Sequence, residues 1–242
     1  MNEYFSLKNK KVTYTWVDSP ILSRQEEIEA NEYFDLKKSE NPKLFNGKGI
    51  SCKRYLAKGD EIELDICETD FKRNIWSRSL QKQIMGTQII GTNIIFCDII
   101  DKCLYLDIRS SSVEYGKGLY GAFGGMVDFS DHLITASSDE FISYVKFSAI
   151  REIEEEVEYI GSKLLESDFF DIGLMFLGDL QKISFGLLVN RKVTCTKTWE
   201  SSNLEKIKAD DLEGFIGANS DRIILTTMPV LEYIRNNSKS LF

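Results

Sequence analysis

The chain has 242 residues, of which 38 are acidic and 30 are Lys or Arg, so its formal net charge is -8. This excess of acid argues against a nonspecific nucleic-acid-binding or anionic-membrane-binding surface, because both need a basic patch. A small anionic substrate is not excluded, because a bound cation can supply positive charge locally. The length and the 43% hydrophobic content suit one large domain, or one domain with an extension.

The sequence shows no sign of secretion or of a membrane span. No apolar run reaches the roughly 18 to 20 residues that a transmembrane helix needs. The segment MNEYFSLKNKKVTYTW lacks the order of a signal peptide. The cysteines, which form no C-x-x-C pair and are odd in number, lie at positions 52, 67, 97, 103 and 195. We therefore expect buried, reduced thiols in a cytoplasmic protein.

The first 85 residues predict a helix between strands. Residues 11–18, KVTYTWVD, alternate as in a short strand. An S-x-x-E capping box at 23–26 predicts that a helix begins there and runs to about Ser39. ISCKRYLA and DEIELDICE then predict a hairpin that turns around Gly59.

The rest of the chain predicts a second pattern of strands and helices. TNIIFCDII and KCLYLDIRS form a predicted hairpin through Asp101-Lys102, and the glycine-rich stretch GKGLYGAFGGMVD follows. A helix is predicted over 139–157, followed by strands in GLMFLGDL and KISFGLLVNRKV. LEKIKADDLEGFI predicts a strand and a short helix, and MPVLEYIRNN a terminal helix. This order predicts an α+β fold, with an N-terminal extension, 1–85, packed on a core domain, 86–242.

The helix predicted over 139–157 concentrates carboxylates on one face. At about 100° per residue, Glu152, Glu155 and Glu156 share that face. Arg151 lies one turn before Glu155 and can pair with it. The apolar face, which should pack against a sheet, consists of Ala149, Ile150, Ile153, Val157 and Ile160.

Two explanations of the acidic face stay open. A charged, solvated helix face is the ordinary one. However, the face contains no lysine, and each like-charge pair at this spacing costs a few tenths of a kcal/mol. A hard divalent cation such as magnesium prefers oxygen ligands and is usually held by carboxylates together with substrate phosphates. Such a cation would turn the repulsion into a binding site.

The amino-acid sequence of this predicted helix resembles a known motif. R-E-I-E-E-E-V-E-Y is similar to R-E-U-x-E-E-x-G-U, the second half of the Nudix box, in which U is an aliphatic residue. Upstream, AFGGMVD resembles the P-G-G-x-V-[DE] of that family, and the hairpin before it resembles the family's opening hairpin. The resemblance covers roughly residues 87–235. It implies a Nudix-type α/β/α sandwich with a mixed sheet, here with an N-terminal helix-and-strand extension.

The sequence also departs from the Nudix pattern. Glu158 stands where the box has glycine. Gly125 and Arg151 lie 26 positions apart (151 − 125), more than G-x5-E-x7-R allows, which implies an insertion at roughly 129–140. The first glutamate of the box has no clean equivalent, and Glu140 is the nearest acid. These departures leave open a Nudix-fold protein that binds or senses a nucleotide derivative without hydrolysing it, although the intact glutamate face favours a hydrolase.

The resemblance implies hydrolysis of a diphosphate linked to another group, with Mg2+ or Mn2+ as cofactor. Glu152, Glu155, Glu156 and the Gly124 carbonyl would hold the metal. Glu155 and Glu156 would also take part in catalysis, and Arg151 would orient the glutamate face rather than touch the substrate.

A further acid on a later loop would orient or deprotonate the attacking water. Glu200 is our candidate for this catalytic role and Glu205 the second, with an exposed loop acid as the alternative. The single histidine, His132, lies in the inferred insertion, where we expect a surface residue.

The expected substrate is a nucleoside diphosphate sugar such as UDP-glucose. The N-terminal order of helix, NPKLFNG, paired strands and DFKRNIW resembles an extended Nudix branch associated with UDP-glucose hydrolysis. Aromatic residues that could stack on a nucleobase, or belong to the core, are Trp16, Tyr55, Phe71 and Trp76. The expected partner is thus a small nucleoside diphosphate derivative, not nucleic acid or a membrane. The resemblance also allows a homodimer.

Overall fold

The computed structural model describes residues 2–80, 84–111, 116–159, 163–177, 180–189, 193–195 and 201–242. The first elements of this part of the chain are β1 (Asn2–Ser6), β2 (Lys11–Trp16), α1 (Arg24–Glu40), β3 (Lys48–Lys58), β4 (Glu61–Asp70), α2 (Phe71–Ser79), β5 (Ile90–Asp98), β6 (Cys103–Arg109) and β7 (Tyr120–Gly121). They are followed by α3 (His132–Thr135), α4 (Phe141–Glu156), β8 (Val157–Tyr159), β9 (Phe169–Leu177), β10 (Leu180–Val189), β11 (Val193–Cys195), β12 (Ser201–Lys208), α5 (Leu212–Asn219) and α6 (Met228–Leu241). The predicted α+β class is confirmed.

The strands of the described residues form three sheets. The largest has the strand order β1-β9-β10-β5-β6-β12, and β7 also pairs with β6. The pairs β5/β6 and β6/β12 are antiparallel. In the three-stranded sheet β2-β4-β3, β2 runs parallel and β3 antiparallel to β4, so this sheet is mixed. A short antiparallel pair joins β8 and β11. Both predicted hairpins, β3/β4 and β5/β6, are therefore confirmed.

The chain divides into two compact units. The first consists of Met1–Gly91, Met126–Val145 and Leu174–Lys182, and the second of Thr92–Gly125, Lys146–Gly173 and Ile183–Phe242. The boundaries fall inside β5, α4, β9 and β10, so each unit collects several stretches of chain. The division into 1–85 and 86–242 stays a prediction. No helix of the described residues combines the length and the apolar character that crossing a membrane requires.

The N-terminal helix of the first unit begins as its sequence predicts. The Ser23 hydroxyl accepts a hydrogen bond from the Glu26 N–H (3.2 Å), and the Ser23 N–H donates to the Glu26 carboxylate (2.8 Å). The reciprocal capping box satisfies two N–H groups that the first turn leaves unpaired. The second helix, α2, was not predicted. It begins after Asp70, whose carboxylate caps the N–H of Arg73 at 2.8 Å.

Residues 129–140, the inferred insertion, pack on β2 within the first unit. The Tyr14 hydroxyl donates to the Leu133 carbonyl oxygen (2.7 Å), and the Tyr14 N–H donates to the Ser138 carbonyl oxygen (3.1 Å). Leu133 is buried and anchors α3. The His132 side chain is 64% exposed, so the predicted surface position is confirmed.

Four cysteines are buried free thiols, as predicted: Cys52, Cys67, Cys97 and Cys103. Loss of hydration on burial disfavours the charged thiolate. Burial accordingly raises the pKa of Cys52 to about 12 and that of Cys67 to about 11. The side chain of Cys195 lies outside the described residues.

Helices cover both faces of β9 and β10 in the second unit. Successive side chains of a strand point to opposite faces. On one face Phe169 meets Phe185 edge to face, with ring centroids 6.2 Å apart, and α4 contributes Lys146, whose Nζ is 5.7 Å from the centre of the Phe185 ring. On the other face Phe170 stacks on Tyr233 of α6 at 6.1 Å. The predicted α/β/α layering is therefore present in this unit.

Candidate functional site

The glycine-rich loop after β7 is hydrogen-bonded along β5. Phe123 and Ile94 exchange two backbone hydrogen bonds of 3.0 and 2.8 Å, and the Thr92 N–H donates to the Gly125 carbonyl oxygen at 2.9 Å. The Gly125 N–H donates to the Thr92 hydroxyl at 3.3 Å. The backbone position of Gly124 between these residues is consequently fixed from both sides.

Glycine is required at position 124 for two physical reasons. Its φ angle is +119°, a conformation that L side chains rarely adopt. A Cβ atom there would also stand 2.6 Å from Oγ1 and 2.7 Å from the carbonyl oxygen of Thr92. Thr92 was not singled out from the sequence, because nothing in a buried strand marks the residue that will support a loop distant in the chain.

Gly125 makes room for the carboxylate of Glu152. A Cβ atom on Gly125 would stand 2.1 Å from Oε2 and 2.7 Å from Oε1 of Glu152. The glycine loop and the acidic helix face, which the sequence separates by the insertion, therefore meet within the second unit. Gly124, predicted as a carbonyl ligand, is the neighbour of this contact.

Arg151 joins two of the predicted metal-binding glutamates. Its Nη2 lies 2.6 Å from Oε1 of Glu152, and its Nη1 lies 3.3 Å from Oε1 of Glu155. The predicted ion pair between Arg151 and Glu155 is confirmed. The Glu152 side chain is 16% exposed and that of Glu155 is 60% exposed. The acidic face therefore runs from a half-buried carboxylate beside the loop to a solvated one.

The predicted apolar face of α4 is buried over the length of the helix, but it is shorter than predicted, because Val157 begins β8 and Ile160 lies outside the described residues. Ala149, Ile150 and Ile153 are 0%, 7% and 0% exposed. Burying one isoleucine side chain contributes about 1.5–3 kcal/mol, so this face sets which way the helix is turned. Glu154 is exposed, also as predicted.

The side chains of two predicted site residues, Glu156 and Glu200, lie outside the described part of the chain. Glu156 is the last residue of α4, but its side chain lies outside the described part of the chain. Glu200, the candidate for orienting water, lies outside the described residues altogether. Their roles stay predictions.

The two carboxylates that Arg151 joins, those of Glu152 and Glu155, suit a hard divalent cation, because Mg2+ and Mn2+ prefer oxygen ligands. The Gly124 carbonyl stays a predicted further ligand. Two carboxylates and one guanidinium leave the local charge at -1 (−2 + 1). A cation would therefore find a net attraction here.

A second acidic group lies at the turn between β5 and β6. Among the described residues, ligand atoms of Asp98, Asp101 and Cys103 lie within 4.8 Å of one another. Oδ1 of Asp98 accepts from the N–H groups of Ile100 and Asp101, both at 2.9 Å, and Asp101 pairs with Lys206. These carboxylates are already used to hold the turn.

Glu205, the second candidate for orienting water, lines a cleft of about 500 Å3 formed by β12 and α5, together with Lys208 and Phe215. Its role in orienting water stays a prediction, like that of Glu200.

The aromatic residues considered for base stacking have other partners. Trp76 is 2% exposed and packs with Leu22 and Ala30 in a core cluster. Tyr55 stacks on Phe176 at 3.8 Å, and its hydroxyl donates to Glu3. For Trp76 the core alternative is the correct one, whereas Tyr55 is only partly buried.

The second unit is thus a layered α+β structure in which an acidic helix face meets a glycine loop. No protein-family model matches the chain, and no curated protein matches it. Nudix hydrolases, the family whose box the sequence resembles, recur among solved structures to which the chain is similar.

Three of these structures illustrate the similarity. With the Nudix-type protein Tm1382 the chain shares 14% identity over 79% of its own length and 99% of the other, at a TM-score of 0.46. A bifunctional NMN adenylyltransferase/ADP-ribose pyrophosphatase from Francisella tularensis, complexed with AMP and a manganese ion, is 12% identical over 67% of this chain and 45% of the other, at a TM-score of 0.44. A Nudix hydrolase from Alicyclobacillus acidocaldarius is 13% identical over 60% of this chain and 89% of the other, at a TM-score of 0.42.

Proposed function

We propose that this protein is a metal-dependent diphosphatase, which hydrolyses a nucleoside diphosphate linked to another group. One observation supports the proposal most. Arg151 holds Glu152 and Glu155 on one helix face, and the Glu152 carboxylate lies against Gly125 of the glycine loop. The residues in contact are those that match the Nudix box in the sequence.

The proposed role of each group follows from the resemblance of the sequence to the Nudix box. Glu152 and Glu155, with Glu156 and the Gly124 carbonyl, hold Mg2+ or Mn2+. A cation bound there would supply the positive charge that hydrolysis of a diphosphate needs. Arg151 bridges the two carboxylates and aligns them, so it positions ligands without contacting the substrate.

Glu200 is proposed to orient the attacking water and to accept its proton. Its support is its place in the sequence, directly before β12, together with the resemblance to family members that carry an acid on a late loop. A carboxylate is suited to this task because it accepts a hydrogen bond from water and attracts the proton as the oxygen attacks phosphorus.

The proposed substrate is a nucleotide sugar such as UDP-glucose. Its support is the order of motifs in the first 80 residues, which resembles the extended Nudix branch. Hydrolysis between the two phosphates would give UMP and glucose 1-phosphate, a product pair that distinguishes this substrate from the others.

The first experiment measures nucleotide and phosphate release from a substrate panel. The panel contains nucleoside diphosphate sugars, ADP-ribose, dinucleoside polyphosphates, coenzyme A and nucleoside triphosphates, each with and without Mg2+ or Mn2+. Release that requires the metal and is confined to one class identifies the substrate. Tight binding of a panel member without any release would instead indicate a nucleotide-sensing protein.

A matched pair of variants on α4 tests the assignment of the metal face. Glu155→Gln is expected to lower metal-dependent turnover at least about 100-fold while the fold is kept, because the neutral amide attracts a divalent cation less strongly than the charged carboxylate does. Glu154→Gln, on the solvated side of the same helix, removes the same charge and should retain turnover. Equal activity of the two variants would contradict the assignment.

The same comparison applies to the water-orienting acid. Glu200→Gln is expected to lower kcat with little change in Mn2+ affinity, whereas Glu205→Gln should leave both unchanged. The reverse pattern would transfer the proposed role to Glu205.

A further inference from the structure

A lysine interrupts the buried face of α4. Lys146, Ala149, Ile150 and Ile153 follow the i, i+3, i+4, i+7 spacing of one helix face, and the last three are buried. The Lys146 side chain itself is only 14% exposed. An apolar residue would complete this face at lower cost, because a buried charge loses hydration.

Lys146 is compensated by two contacts in the second unit. Its Nζ lies 2.8 Å from Oδ1 of Asp171 on β9, whose side chain is 36% exposed. That oxygen receives no hydrogen bond within the described residues, so the contact is an ion pair without hydrogen-bond geometry. On the other side Nζ lies 5.7 Å from the centre of the Phe185 ring on β10, within the range of a cation–π interaction.

These contacts add a constraint on α4 to the one that its apolar packing imposes. The buried apolar face sets the rotation of the helix. Lys146 is in addition held from two strands, by the ion pair to β9 and the ring contact to β10, so the two contacts also bear on the axial placement of the helix. Glu152 lies six residues further on, about 9 Å along the axis, where its carboxylate must fit against Gly125.

We propose that Lys146 is a positioning residue, which through Asp171 and Phe185 holds α4 so that its glutamates meet the glycine loop. The inference rests on the proposed metal-dependent function, and it adds a residue outside the motif that the sequence resembles. Lys146 does not contact the metal or the substrate. It determines the position of the glutamate carboxylates that are proposed to hold the metal.

The test replaces Lys146 by methionine, which has a similar length and no charge. Lys146→Met is expected to fold but to unfold at a lower temperature than the wild type, because the buried Oδ1 of Asp171 loses its cation. Its dissociation constant for Mn2+, measured by electron paramagnetic resonance of the free ion, should rise about tenfold. With the best substrate of the panel, kcat should fall while KM changes little. Lys146→Arg, which keeps the cation, should restore most of the affinity.

Further variants make each outcome decisive. Lys163→Met, a loss of an exposed lysine of the same unit, is the control and should bind Mn2+ as the wild type does. Asp171→Asn should repeat the loss seen in Lys146→Met, and it replaces that variant if methionine prevents folding. Wild-type affinity in both Lys146→Met and Asp171→Asn would overturn the inference.

If the proposed function is wrong, the measurements give a different result. In that case the wild type itself would bind no Mn2+ and release no product. The anchoring of α4 would then be measured by amide hydrogen exchange, which Lys146→Met should accelerate in the second half of the helix. An unchanged exchange rate there would overturn the inference as well.

Discussion

Oε2 of Glu152 occupies the space that a Cβ atom of residue 125 would need, since that atom would stand only 2.1 Å from the oxygen. The end of a carboxylate can usually swing away from such a clash. Here Arg151 holds the other oxygen of the same carboxylate at 2.6 Å. A side chain at position 125 would therefore have to separate Glu152 from Arg151, or the loop from the helix.

Gly125→Ala is accordingly expected to damage metal binding more than folding. We expect the dissociation constant for Mn2+ to rise about tenfold, which corresponds to about 1.4 kcal/mol. The free energy of unfolding should change by less than about 1 kcal/mol, because the displaced group can reach solvent. Metal titration and urea denaturation of the same preparation measure the two quantities.

Gly214→Ala is the control for this substitution. A Cβ atom at position 214 would meet no atom within 4 Å, and the residue lies in α5. Alanine in a helix is favoured over glycine by up to about 1 kcal/mol. This variant should therefore be as active as the wild type and at least as stable. If both alanine variants bind Mn2+ equally well, the contact between Gly125 and Glu152 has no functional weight.

Arg151 is predicted to matter for turnover and little for stability. Its side chain is 42% exposed and that of Glu155 is 60% exposed. Ion pairs of this exposure contribute about 0–1 kcal/mol. Arg151→Met should hence lower the free energy of unfolding by no more than about 1 kcal/mol. Metal-dependent kcat should fall at least about tenfold, because the two carboxylates lose the group that aligns them.

Arg151→Lys separates charge from geometry. Lysine keeps the positive charge but lacks the planar fork that contacts two carboxylates at once. A kcat close to that of Arg151→Met would show that the fork is required. A kcat close to that of the wild type would show that charge alone is enough, and would contradict a positioning role for the guanidinium.

The sequence predicts the parts of this structure that depend on neighbouring residues. The capping box at Ser23, the hairpin turn at Gly59 and the burial of Ala149, Ile150 and Ile153 on α4 all follow from local spacing, and all are present. The same holds for the pairing of Arg151 with Glu155, four residues apart on a helix. In each case the pattern that predicts the feature spans only a short stretch of sequence.

The parts that depend on distant contacts could not be predicted in this way. Nothing local indicates that Thr92 will hold Gly125, or that Lys146 will meet Asp171 instead of solvent. The strand β1 and the helix α2 were also missed. The segment that forms α2, DFKRNIW, carries only a short apolar pattern, and the helix is capped by the side chain of Asp70. The roles of Glu156 and Glu200 stay predictions of the sequence.

Gln181 provides a stability prediction that only the structure could suggest. Its side chain is 3% exposed and pairs with both backbone groups of Cys52, where β3 bulges. The Cys52 N–H donates to Oε1 at 2.8 Å, and Nε2 donates to the Cys52 carbonyl oxygen at 2.7 Å. Gln181→Ala would leave two buried backbone groups unpaired, at about 1–3 kcal/mol each.

We therefore expect Gln181→Ala to lower the free energy of unfolding by about 2–6 kcal/mol in urea denaturation. Gln25→Ala is the matched control, because the Gln25 amide bonds only to Glu29 on the exposed side of α1. That variant should stay within about 0.5 kcal/mol of the wild type. Similar values for both variants would mean that water replaces the Gln181 amide at the bulge.

The buried thiol of Cys52 predicts how stability depends on alkaline pH. Burial raises its pKa from an ordinary value of 9.0 to about 12. Between these two values the unfolded chain loses the proton and the folded chain retains it, so rising pH favours the unfolded state. The stabilisation is fully present below pH 9, declines by about 1.4 kcal/mol for each pH unit above it, and ends near pH 12.

Cys52→Ala removes this group from both states. The variant is expected to be less stable than the wild type at pH 8, because it leaves a small cavity and breaks the contact of Sγ with the Arg54 carbonyl oxygen (3.1 Å). Between pH 8 and pH 10 the difference should narrow by about 1.4 kcal/mol, since only the wild type carries the titrating thiol. Urea denaturation of both proteins at several pH values measures this difference. Parallel curves over that range would mean that Cys52 ionises as readily in the folded protein as in the unfolded chain.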